Sequence, residues 1–146
     1  MAFSVERNNG YQGAAVVCEP VKLKTGKGLL YAGDWAKTGA LKYYSGGMIY
    51  RKEVEISSVN ENERILLDLG NVVASCEIKV NGKQVGICMS PPYEVDITSY
   101  VTFGNNNIEV LVYSTLSNHY QTIPSPYRGE PEAGMLGPVQ LQVHSK

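Results

Sequence analysis

The sequence predicts an all-β fold, an antiparallel β-sandwich. Three observations carry that expectation. Apolar and polar residues alternate in short runs, the runs are punctuated by Gly, Asn and Pro, and helix-period patterning is nearly absent.

Taken in order, residues 14–18 form a short apolar run. Residues 48–56 alternate, with Met48, Tyr50, Val54 and Ile56 on one parity and Arg51, Glu53 and Glu55 on the other. Arg51 is expected to pair with a carboxylate such as Glu53, Glu55 or Asp68 rather than to face substrate. Residues 64–69 are mostly apolar and end at Gly70. Residues 75–80 and 84–89 make a hairpin about Asn81-Gly82, a dipeptide that favours a two-residue type I′ loop. Asp96 is placed to cap a single helical turn before Gly104. Residues 107–113 alternate, with Ile108, Val110 and Val112 on one parity, and residues 139–143 close the chain as Val, Leu and Val separated by Gln. Residues 1–13, polar with two Gly, read as a loose lead-in, and residues 14–146 as one domain.

Charge excludes some functions. Thirteen basic and 14 acidic residues give a formal net charge of -1, and no basic run forms a stripe. Nucleic acid and anionic membrane surfaces are therefore not expected partners. No apolar segment approaches the length of a bilayer span. The first residues lack the continuous apolar region of a signal peptide, which fits a cytoplasmic protein or a piece of a longer secreted one.

The three cysteines, Cys18, Cys76 and Cys88, make no disulfide framework. A regular two-residue hairpin places Ile78 opposite Val85, Cys76 opposite Ile87 and Cys88 opposite Ser75. A Cys76–Cys88 bridge would need a one-residue slip that pairs Ile78 with Gly86. All three thiols are expected to be free, and no Cys or His neighbours another at metal-ligand spacing.

Residues 117–139 form a loop too long and too rich in Pro and Gly to be a simple turn, and loops of that kind in compact domains are usually functional or disordered. Its aromatic and ring-stiffened residues argue against disorder. Glycoside hydrolysis ordinarily needs two carboxylates roughly 5–10 Å apart. Glu130 and Glu132, two residues apart around Pro131, read better as a solvated acidic loop. No nucleophile elbow or Cys/His pair is present, so no catalytic residue is assigned. Sugar binding needs an aromatic ring for the apolar face of a pyranose and polar groups for its hydroxyl rim. The chain has ten Tyr, one Trp and only two Phe. Two loops supply candidates: Trp35, Tyr43 and Tyr44 in the first, and Asn118, His119, Tyr120, Tyr127, Arg128 and Glu130 in the second. Trp35 has a structural alternative, as filler under the Tyr43-Tyr44 loop. Tyr50, Tyr93, Tyr100 and Tyr113 read as core-edge residues.

The order of motifs carries a family resemblance. Gly33-Asp34-Trp35 is followed by Tyr44-Ser45-Gly46-Gly47-Met48-Ile49-Tyr50-Arg51-Lys52, Leu67-Asp68-Leu69-Gly70, Val80-Asn81-Gly82-Lys83-Gln84-Val85-Gly86, Pro91-Pro92-Tyr93 with Asp96-Ile97-Thr98, and Gly104-Asn105-Asn106-Asn107. Gly134-Met135-Leu136-Gly137-Pro138-Val139 completes the series. From about Pro20 to Val143 the chain resembles the jelly-roll, galactose-binding-like domain of large glycoside hydrolases. The segments Ser117-Asn118-His119-Tyr120 and Tyr127-Arg128-Gly129 make it most similar to the C-terminal β-sandwich of bacterial α-L-rhamnosidases. Ala133-Gly134 departs from the usual Ser-Gly before the last strand, which puts a hydroxyl contact there in doubt.

The resemblance implies a jelly roll that is a non-catalytic accessory domain of a glycosidase. Its partners would be the catalytic domain of a longer parent, and carbohydrate. In β-galactosidase-type enzymes the matching loops lie toward the catalytic domain, so both loops should gather at one end of the sandwich. The alternatives are an autonomous carbohydrate-binding module and, weakest, a free-standing glycosidase. No cofactor is required. Jelly rolls of this type often carry a structural Ca2+, which no acidic cluster at EF-hand spacing places here. The parent is expected to be secreted or periplasmic.

Overall fold

The structure is a computed structural model that describes residues 33–39, 41–120 and 131–145. The lead-in at residues 1–13, the apolar run at 14–18 and Cys18 lie outside the described residues. The described strands are β1 (Gly47–Ile56), β2 (Glu63–Asp68), β3 (Asn71–Val73), β4 (Ser75–Val80), β5 (Lys83–Cys88), β6 (Glu94–Asp96), β7 (Gly104–Tyr113), β8 (Gly134–Gly137) and β9 (Gln140–Ser145). A 3-10 turn covers Trp35–Lys37 and a single helical turn, α1, covers Ser117–Tyr120. The all-β, antiparallel expectation holds.

Strands β1, β7, β4 and β5 form one sheet in that order, β6, β2 and β9 a second, and β3 and β8 a two-stranded third. The named strands pair antiparallel throughout. In β7 the period-2 pattern does what it predicts: Asn106, Ile108, Val110 and Val112 are buried. Cys76, Ile78 and Val80 of β4 share their face, and Ile65 and Leu67 of β2 come from the second sheet. All these apolar side chains join one buried cluster, which is the core of a sandwich. In β1 the expected parity is half-buried, with Met48, Tyr50 and Val54 packed against that cluster.

One expectation is met by another carboxylate and one is corrected. Arg51 pairs with Glu109, directly opposite it on β7, through Nε at 2.7 Å. Neither Glu53, Glu55 nor Asp68 takes that role. The correction concerns hairpin register. Asn81 and Gly82 both have positive φ, 51° and 78°, as a type I′ turn requires. Past Lys79↔Gln84 the register slips, so that Ile78 faces Gly86, Glu77 faces Ile87 and Cys76 faces Cys88. A bulge at Val85 is the cause. It keeps Val85 packed on the core, passes the next inward places to Gly86 and Cys88, and turns Ile87 out to 59 % exposure. A Cβ at Gly86 would meet Val95 Cγ1 at 3.4 Å, an ordinary van der Waals contact. Both described thiols are free, as expected, although the register argument against their meeting fails.

Two polar devices fix the far end. Asn106, 1 % exposed, donates to the carbonyls of Thr102 (2.7 Å) and Gly104 (2.8 Å), and its Oδ1 accepts from Thr102 N (2.8 Å) and Asn81 Nδ2 (2.9 Å). Asn81 Nδ2 also donates to Tyr100 O, and Asn81 Oδ1 accepts from Asn107 N. Asp96 caps the turn at residues 97–101 as expected, accepting from the Thr98 hydroxyl and amide.

Asn106→Ala is expected to lower the unfolding free energy by about 2–4 kcal/mol, read from urea denaturation, because several groups lose their partners together. A second prediction concerns acid. The Thr98 hydroxyl, then the Thr98 N–H and more weakly Arg64, hold the Asp96 carboxyl below its ordinary range. Such a group stabilises the fold above its unfolded pKa of about 3.9 and loses that contribution as pH falls through the lower folded value. Asp96→Asn should therefore flatten the acid limb of the stability–pH curve and lower stability at neutral pH.

Candidate functional site

The site is built where the first described segment meets the last. Asp34 caps the 3-10 turn: its Oδ1 accepts from Ala36 N at 2.9 Å and from Ala133 N at 3.1 Å. Trp35 N donates to Ala133 O at 2.8 Å, so the two segments are clipped together by backbone as well. The Trp35 indole is 1 % exposed, and its Nε1 donates to the Tyr50 hydroxyl at 2.5 Å. Its ring lies nearly parallel to Tyr50 (6.4 Å, 18°) and tilted against Tyr44 (5.8 Å, 57°). Tyr50 Oη also accepts from Met135 N at 3.3 Å. Of the two readings of Trp35, this geometry fits packing beneath Tyr44 rather than a platform for sugar.

Gly134 is required at this junction. Its φ is +110°, and a Cβ there would lie 2.6 Å from Trp35 Nε1 and 2.7 Å from Gly33 O. The neighbouring Ala133 is buried and engages Asp34 and Trp35 through its backbone alone, so no hydroxyl is needed there for the clip.

A second group of contacts joins the end of the first loop to the start of the long one. Gly46 N donates to Ser114 Oγ (3.0 Å), Ser114 N to Gly46 O (3.0 Å), and His119 N to Ser45 Oγ (3.1 Å). Tyr44 Oη donates to Gly47 O at 2.6 Å. Thr115 Oγ1 accepts from Ser117 N at 3.3 Å as α1 begins. The expected gathering of the two loops at one end is thus seen for their described parts. Around this seam Tyr43 is 52 % and Tyr120 46 % exposed. Lys42 Nζ lies 5.4 Å from the Tyr43 ring centroid, and His119 and Tyr120 meet edge to face at 5.4 Å.

Asn118 differs from its neighbours. It is fully buried, and neither Oδ1 nor Nδ2 has a hydrogen-bond partner among the described residues. Tyr127, Arg128 and Glu130 lie outside the described residues. Asp34, Ser45, Tyr50 and Ser114 organise the site yet were not singled out for it. Asp34 had a legible signal, a capping side chain before a short turn. Among the described residues no group of three His, Cys, Asp or Glu side chains could hold a metal ion, so no Ca2+ ligand set is named from them. An open hollow at Glu55, Ile56, Ser58, Glu63, Leu141 and Val143 contains none of the site residues.

A sandwich with loops clipped together at one end defines a class, the galactose-binding-like β-sandwich domain. Residues 40–135 match the family described as the glycosyl hydrolase 2 galactose-binding domain-like domain, and the chain belongs to that family. A curated protein of Formosa agariphila, named as a candidate beta-glucuronidase, is 36 % identical over 80 residues, 53 % of this chain and 7 % of its own length. The rhamnosidase of Novosphingobium sp. PP1Y superposes with a TM-score of 0.71 at 28 % identity, over 80 % of this chain and 13 % of that one. A glycosyl hydrolase family 2 member from Bacteroides cellulosilyticus shares the fold with a TM-score of 0.56 at 24 % identity, over 68 % of this chain and 13 % of that one. The chain therefore spans a small part of each of these relatives and corresponds to a small domain of larger glycoside hydrolases.

Tyr50→Phe keeps the ring but strips a shared acceptor from two donors, and is expected to cost about 2–4 kcal/mol in chemical denaturation. Gly134→Ala should be at least as damaging, since positive φ and the clash with Trp35 act together. Quenching of Trp35 fluorescence by acrylamide should rise in both variants.

Proposed function

We propose that this chain is a non-catalytic domain of a longer glycoside hydrolase of the α-L-rhamnosidase kind. Its seam of residues 43–47 and 114–120 packs on the catalytic domain and adds contacts to a bound carbohydrate. The family match over residues 40–135, to a galactose-binding-like domain of glycoside hydrolases, is the observation that carries this reading. The small share of each relative's length supports an accessory role, and the superposition on the rhamnosidase supports that branch over others. Exposed Tyr43 and Tyr120, with His119 beside the latter, favour the second reading, an autonomous carbohydrate-binding module.

Titrating the isolated chain with rhamnosides, galactosides and glucuronides, followed by NMR, separates the two. The accessory reading expects shifts only at millimolar sugar, localised to Tyr43 and Tyr120, and weakened by Tyr127→Ala or Arg128→Ala. Micromolar affinity in isolation would replace it with the autonomous module. Absence of both sugar shifts and any binding to the parent's separately produced catalytic domain would reject both.

A further inference from the structure

The slipped hairpin has brought two cysteines to opposite positions on neighbouring strands. Asn81 N donates to Asn107 O across β4 and β7, and Ser114 N donates to Gly46 O across β7 and β1. Alternation from both points aims the backbone N–H and C=O of Cys76 away from β7 and toward β5. Cys76 and Cys88 are therefore a hydrogen-bonded antiparallel pair, with Cα atoms about 5.5 Å apart. That separation falls within the Cα range of about 4.4–6.8 Å that a disulfide spans, and the Cβ atoms of such a pair, about 5 Å apart, must close by about 1 Å to bridge. Both side chains lie on the core side, Cys76 within the buried cluster and Cys88 packed against it. Cys76 is wholly buried, whereas Cys88 is only half-buried, at the last residue of β5. Among the described residues β5 is the outermost strand of its sheet.

We propose that Cys76 and Cys88 are a site of reversible disulfide formation that takes small-molecule disulfides as its oxidant. Cys88 reacts first, because it is the accessible thiol. Burial raises both thiols, Cys76 to about 12, but the hydrogen bond from Cys76 favours the Cys88 thiolate. The Cys88 thiolate attacks one sulfur of the small disulfide, forming a mixed disulfide and releasing one small thiolate. The released thiolate takes the Cys76 proton, and Cys76 attacks Cys88 Sγ, releasing the second small thiolate. Two protein thiols are oxidised, and one small disulfide is reduced to two thiols. The product ties β5 covalently to β4. Excess small thiol reverses both steps.

The test uses the 146-residue chain, unsubstituted and as Cys18→Ser, so that the third cysteine does not confuse the count. The folded protein is incubated with oxidised glutathione at mildly alkaline pH, quenched with iodoacetamide and examined by intact mass and peptide mapping. The expected product has lost two hydrogens, resists alkylation at Cys76 and Cys88, yields a peptide joining them, and returns to the dithiol with dithiothreitol. Cys76→Ala, which adds no polar atom to the core, should stop at one glutathione on Cys88. Cys88→Ala should leave Cys76 unmodified. The unsubstituted chain gives the same joined peptide, so the result does not depend on any variant folding. Folded protein that keeps both thiols, or carries glutathione on both cysteines without a joined peptide, would overturn the proposal. So would a Cys76→Ala chain that folds and takes up no glutathione.

Discussion

Tyr50 projects from β1 into the seam between the first and last described segments, where its hydroxyl accepts from Trp35 Nε1 and Met135 N. One oxygen thereby satisfies donors far apart in sequence, one on the 3-10 turn and one on β8. The indole it anchors fills the space beneath Tyr44 and leaves room at Gly134 only for a residue without a side chain. Ala133 then closes the same seam, its N–H donating to the Asp34 carboxylate and its carbonyl accepting from Trp35 N. The positions of the loop residues that could meet a sugar or a neighbouring domain follow from this junction. It is aromatic and held by several hydrogen bonds, which makes it a rigid base for a contact surface.

Much of the fold is legible in sequence because β1, β4 and β7 are long enough for period-2 alternation to show. Strands β3, β6 and β8, of three, three and four residues, are too short to display a period, and they exist through their pairing partners. The hairpin teaches a narrower lesson. Asn81-Gly82 specifies the turn, yet turn type governs register only as far as the first bulge. Gly86 inside the strand was the signal, since a glycine there often marks a bulge or a close approach. Arg51 shows a related limit: a cross-strand partner such as Glu109 is 58 residues away and becomes visible only with the pairing.

The site was legible as a gathering of loops and less so in the roles of its residues. Composition cannot separate an indole that stacks on a ligand from one that packs on Tyr50, because both uses need the same ring. Asn118 stood out in sequence only as part of a Ser-Asn-His-Tyr segment. Its burial and unpaired amide depend on how α1 turns against Ser45, which is a tertiary fact.

The Asn81–Asn106 contact also bears on chemical ageing. An Asn-Gly dipeptide is the sequence in which a side-chain carboxamide most readily cyclises onto the next backbone nitrogen and loses ammonia. Here Asn81 Nδ2 is engaged by Tyr100 O and Asn106 Oδ1, and its Oδ1 by Asn107 N, so the side chain is held from both ends. The bonds that lock the turn thus oppose its decay for as long as the domain stays folded. Conversion of that carboxamide to a carboxylate would delete two donations and set a negative charge against the Asn106 acceptor. Damage at this single turn would then loosen the network that had been protecting it.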